Sequence, residues 1–143
     1  MKPVDYVKAL VLAAMVLFVE LALSYPIVAI YSSLIAPGHP EAFYRQAAED
    51  WLVPWWIHIG GTLIFFFVGW LFTGRQRGRN AYLFMAAMCA WYLLIDLASF
   101  AYAGNGFVSF VISGAILWML VQFAAAFAGA WVEGRSGAQA AAQ

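Results

Sequence analysis

Four stretches of this chain, roughly 9–31, 55–73, 81–103 and 107–132, are almost wholly apolar. Each has about the 20 residues that a helix needs to cross a bilayer. That feature predicts an all-α integral membrane protein, a four-helix transmembrane bundle built as a single domain over residues 1–143. Composition agrees, because 66% of the chain is hydrophobic and only 10% is charged, whereas a soluble domain carries roughly 25% charged residues.

The charge balance removes other classes. Seven basic and seven acidic residues leave no net charge, which argues against nucleic acid as a partner. The single cysteine, Cys89, cannot close an internal disulfide and belongs to no C-x-x-C pair; it reads as a small packing residue. The start, MKPVDYVKAL, lacks a small-residue cleavage site before a polar segment, so its apolar run reads as the first span rather than as a removed leader.

Between the second and third spans lies TGRQRGRN, with Arg75, Arg77 and Arg79 close together. The positive-inside rule puts that loop in the cytoplasm, and Lys2, Lys8 and Arg135 then fall on the same side. Both termini are therefore expected inside, with loop 32–54 outside. The layout suits the inner (cytoplasmic) membrane of a bacterium. Within loop 32–54 a Pro-Gly-His-Pro turn precedes a helical pattern over 41–52. Glu41, Arg45 and Glu49 recur on one face, and Phe43, Ala47 and Trp51 on another. This predicts a short amphipathic helix on the outer leaflet, with Trp51, Trp55 and Trp56 at headgroup level. It serves as an anchor or as a lid. His39, in the turn, is expected to be solvated. The last connection, AGNGF, reads as a tight turn, and the tail 134–143 as disordered.

Apart from these, the spans hold three acidic or histidine side chains, Glu20, His58 and Asp96. A charge at the bilayer centre costs at least ~2.5–3.5 kcal/mol, so each must face protein or trapped water. Glu20 lies eleven residues before Tyr31, Asp96 seven before Ala103, and His58 about one turn into the second span. All three fall at the centre or in the outer half. Helical spacing puts Cys89, Tyr92, Asp96, Ser99 and Ala103 on one face of the third span. On the first span Glu20, Ser24 and Tyr31 share a face, and Pro26 frees the Ala22 carbonyl. On the second, His58, Gly61, Thr62, Phe65 and Gly69 form a small-residue groove that admits another helix. The fourth brings Ser109, Ser113, Trp118 and Gln122. Turned inward, these faces make a polar chamber opening outward. Plainer roles remain open: His58 bonded to water or headgroups, and Glu20 a neutral carboxyl that ties two helices together.

A carboxyl removed from water suits proton pick-up in a transporter or acid–base work in an enzyme. The Glu-x-x-His pairs of di-metal carboxylate bundles and a Gly-x-Ser-x-Gly elbow are absent from the sequence. One histidine can hold a haem iron from one side and leave the other open, and the glycines beside His58 would let a flat macrocycle approach.

Four spans, the outer loop "PGHPEAFYR" (37–45), His58 followed by Gly60, and "YLLIDLASFAY" (92–102) resemble styrene oxide isomerase, a family of small four-helix membrane proteins that bind haem b and convert epoxides to aldehydes. The resemblance implies His58 as axial ligand of haem b, with Asp96 and Tyr102 beside a small apolar or amphipathic, epoxide-like substrate; Glu20, from its depth in the first span, joins them as a candidate acid–base residue. This chain has Ile64 where that family has an asparagine, and seventeen residues separate Glu41 from His58. A lone glutamate in the first span, "LFVELAL", also resembles the small multidrug resistance proteins, which implies a proton-coupled transporter working through Glu20. A membrane anchor or accessory subunit is the third class. In all three the partners are the lipid bilayer and, for a bundle this small, a second copy of the chain.

Overall fold

The computed structural model describes residues 1–74, 80–104 and 114–140. Five α-helices run over Pro3–Ile30 (α1), Glu41–Ala47 (α2), Val53–Gly74 (α3), Ala81–Tyr102 (α4) and Ala115–Ala140 (α5), and the described residues contain no strand. Four helical stretches are long and apolar enough to cross a membrane, as the apolar runs require. The arginine loop and Ser109 and Ser113 lie outside the described residues.

Local chemistry sets the helix ends. Pro3 opens α1, where its missing N–H costs nothing and its φ is already helical. The Lys2 backbone N–H donates to Asp5 Oδ2 at 2.9 Å. Asn80 caps α4 by accepting the Leu83 N–H at 3.0 Å, a cap worth about 1 kcal/mol. Past Ile30 the first span continues as a π-turn over Tyr31–Ile35, closed by the Ala36 N–H on the Tyr31 carbonyl at 2.9 Å.

Helix α2 and the second span are one uninterrupted helical stretch. A second π-turn, Ala48–Leu52, joins α2 to α3, directly ahead of Pro54. Proline lacks the N–H that the ladder needs four residues back, and a wider turn is where a ladder shifts register. The apolar face of α2 packs on the end of the first span. Tyr31 stacks on Phe43 at 6.5 Å and meets Trp51 edge-on at 5.3 Å. Tyr44 pins the turn between them, its hydroxyl donating to the Ala36 carbonyl and accepting the His39 N–H. His39 is exposed on its outer side and stacked on Phe43 at 4.2 Å.

The tightest helix pair is α3 with α5. A Cβ at Gly69 would strike the Ala126 backbone, and one at Gly129 the Phe66 backbone. The glycines are what let these two helices touch along their main chains. α1 packs on α4 and α3 and closes the bundle. The core comprises Ala9, Leu12, Ala13 and Val16 of α1, Phe65 of α3, Met85 and Met88 of α4, and Met119 and Ala126 of α5. Leucines, valines and aromatics such as Phe18, Leu71, Leu94 and Leu117 point outward, as lipid-facing residues do. Helix α5 runs on to Ala140, through most of the stretch expected as a disordered tail; alanine and glutamine there carry good helix propensity.

Candidate functional site

The bundle brings Glu20, His58 and Asp96 around one cavity of about 110 Å³. Tyr92, Trp118 and Gln122 complete its polar and aromatic lining. The antiparallel course of the spans explains the convergence. Residues past the middle of α1, near the start of α3, late in α4 and early in α5 share one level, on the side of the bundle nearer α2.

Glu20 is only 1% exposed. Its Oε2 accepts the Tyr92 hydroxyl at 2.5 Å, a short bond of the strong kind. Tyr92 is held by Phe65, which meets it edge-on at 4.9 Å. Glu20 Oε1 is buried with no hydrogen-bond partner among the described residues, and so is His58 Nδ1. Both residues line the cavity. The His58 imidazole lies flat on the Trp118 indole, centroids 4.3 Å apart and planes 8° from parallel.

Gln122 and Gly61 shape the space beside the carboxyl. Gln122 Nε2 donates to the Ile57 carbonyl at 2.9 Å, fixing the amide across the α3–α5 contact. A Cβ at Gly61 would lie 2.6 Å from Glu20 Oε1 and closer still to Gln122 Nε2. Both side chains therefore enter the notch that Gly61 leaves. Asp96 is half-buried at the cavity wall. No lysine or arginine lines the cavity among the described residues. An ionised carboxylate taken out of water costs several kcal/mol unless a counter-charge or a proton neutralises it. The arrangement can therefore hold a proton, shared among two carboxyls and an imidazole. At about 30 Å³ per water it also has room for a few solvent molecules.

Tyr102, expected beside the substrate, stands apart at the end of α4, 96% exposed. Ser24 and Ser99 bond carbonyls of their own helices, Leu21 and Ile95, and take no part. Trp56, expected at headgroup level, donates its indole N–H to the Glu20 carbonyl at 3.0 Å, clamping α3 to α1 at the acid. A tryptophan N–H is a donor that seeks a partner when buried, but its spacing in the sequence does not say which. Tyr92 and Gln122 were legible as inward-facing. Their hydrogen bonds were not.

The residues around His58 do not fit a haem. Ligand pockets hold roughly 300–1,000 Å³, against about 110 Å³ here. The slot expected beside the glycines is filled, since Gly60 backs onto the Trp56 ring and Gly61 onto Glu20 and Gln122. One face of the imidazole is covered by Trp118. Among the described residues no group of three or more His, Cys, Asp or Glu gathers as a metal set.

Fold and site together define a small helical membrane protein with a buried acidic chamber. Comparison with protein-family models, with curated proteins and with solved structures finds no match for this chain.

Proposed function

We propose that this chain is a small proton-coupled membrane transporter in which Glu20 takes up and releases the coupling proton. The observation that carries the reading is the state of that side chain. It is wholly buried, bonded through one oxygen to Tyr92, left without a hydrogen-bond partner at the other among the described residues, and it lines a cavity of about 110 Å³ shared with His58 and Asp96. A polar group so buried is costly to keep. The lining offers hydrogen bonds and titratable partners but, among the described residues, no lysine or arginine that would hold a permanent carboxylate.

In this reading the termini and the arginine loop are cytoplasmic, and loop 32–54 with α2 faces outward. His58, early in α3, lines the same cavity as Glu20. It relays protons through its free Nδ1, while Trp118 holds the ring in place. Tyr92 orients the carboxyl, and Asp96 offers a second place for the proton.

A pH step applied to proteoliposomes on a solid-supported membrane tests this without a known substrate. Wild-type protein should give a transient charge displacement, and Glu20→Gln should reduce it at least tenfold at equal protein density. A wild type with no transient, or a Glu20→Gln variant equal to it, would overturn the reading. A Soret band from purified protein that disappears in His58→Ala would replace it with the haem isomerase.

A further inference from the structure

A second cleft lies at the opposite end of the bundle, where the N-terminal half of α1 crosses the end of α3 and the start of α4. It encloses about 300 Å³. Leu12 and Phe84 form its floor, 7% and 3% exposed, and Phe72 one wall. Its rim is the exposed edge of α1 from Val4 to Met15. Within this apolar lining, among the described residues, stands one charged residue, Lys8.

We infer that this cleft is a binding site for an anionic phospholipid, one acyl chain in the cleft and the phosphate on Lys8. Three observations carry it. The first is length: Val4 to Met15 is twelve residues, eleven rises of ~1.5 Å or about 16 Å of helix. That matches half of a hydrocarbon core about 30 Å thick, the depth of one leaflet. The second is shape, because the floor is recessed behind the rim and so receives a chain rather than merely bordering bulk lipid.

The third is charge. Lys8 is exposed and forms no ion pair among the described residues. The nearest acid in sequence, Asp5, is buried and takes the Lys2 backbone N–H on Oδ2. Side chains on a helix lean toward its N-terminus, and a lysine carries its ammonium to the interface while its stem stays in the apolar layer. The Lys8 ammonium is thus directed to the headgroup level at the mouth of the cleft. A zwitterionic headgroup would set a second cation beside it; a net negative one would not. The proposal does not depend on proton coupling at Glu20, since the two sites share no lining residue.

Native mass spectrometry of the full chain, released from micelles doped with equal phosphatidylglycerol and phosphatidylcholine of identical acyl chains, reads the site. One juxtamembrane cation is worth about fivefold in lipid preference, so the wild type should retain phosphatidylglycerol about fivefold over phosphatidylcholine. Lys8→Gln should bring the ratio close to one while lipid is still retained. Val11→Trp, which fills the cleft from its exposed rim, should lower retention of both lipids. Equal retention of the two lipids by the wild type would overturn the inference, as would an unchanged ratio in Lys8→Gln. Retention unaffected by Val11→Trp would assign the bound lipid elsewhere and overturn it too.

Discussion

The two halves of the bundle solve opposite problems with the same four helices. On the side nearer α2, Glu20, Tyr92, Gln122, His58 and Asp96 crowd around a small cavity. On the other side, Ala9, Ala13, Val16, Met85, Met88 and Ala126 pack as an apolar layer, and the one buried carboxyl described beyond it, Asp5, takes the Lys2 N–H at the helix start. Phe65 marks the boundary, edge-on to Tyr92 and tilted against Phe123 at 5.8 Å. The glycines differ in the same way. Gly69 and Gly129 admit backbone, while Gly61 admits two polar side-chain ends. The packed half thus fixes the helices, and the polar half uses that rigidity to hold groups that would otherwise be expensive in lipid.

The largest expected effect tests the packed half. Gly69→Leu must push α5 away at the Ala126 main chain, which cannot rotate aside as a side chain could. Overpacking costs about 1–3 kcal/mol and sometimes more; with backbone as the obstacle, about 3 kcal/mol or more is expected. Thermal unfolding in detergent should show little folded protein. A melting curve like the wild type's would mean that α3 and α5 are not in main-chain contact. Met88→Ala should come next. Met88 is 0% exposed, and such truncations cost roughly 2–5 kcal/mol in soluble cores. Here about 2 kcal/mol is expected, because helices separated in a bilayer still lie in lipid and mainly the packing loss remains.

The polar half should respond differently. Tyr92→Phe removes the donor to Glu20 Oε2 and leaves a second buried oxygen without a partner, at a cost of about 1–3 kcal/mol. Glu20→Gln keeps the shape and can still accept the tyrosine hydroxyl, so its stability should stay within about 1 kcal/mol of wild type. Paired unfolding curves of the two variants check this. If Glu20→Gln is the less stable of the pair, the carboxyl is a structural clamp between α1 and α4, and the proton reading loses its footing.

Much of this was legible in the sequence, and the part that was not has a physical reason. Helix length and position follow from apolar runs that nothing but a bilayer span explains. The shared level of Glu20, His58 and Asp96 follows from a constant rise per residue along antiparallel helices. What periodicity cannot supply is the rotation of one helix against another by a few tens of degrees. That rotation decides that Trp56 reaches the Glu20 carbonyl, that Trp118 covers His58, and that Gln122 fills the notch at Gly61. Those three contacts narrow the expected chamber to a cavity of about 110 Å³. The continuity of α2 with α3 through Pro54 was hidden for a similar reason. A proline reads as a boundary, and a π-turn that absorbs it leaves no mark in composition.

The smallest expected effect bears on how far the chamber extends. Tyr102 lies on the same helix as Asp96, but six residues on it is almost fully exposed, with no part in the cavity lining. Tyr102→Phe should therefore change stability by less than about 0.5 kcal/mol, as substitutions at exposed positions do, and should leave the pH-step charge displacement at the wild-type level. The two readouts separate two ways of being wrong. A stability loss alone would mean that the hydroxyl ties α4 to neighbouring chain, a structural matter at the outer rim. A loss of charge movement with normal stability would extend the proposed proton path past Asp96 to the end of α4.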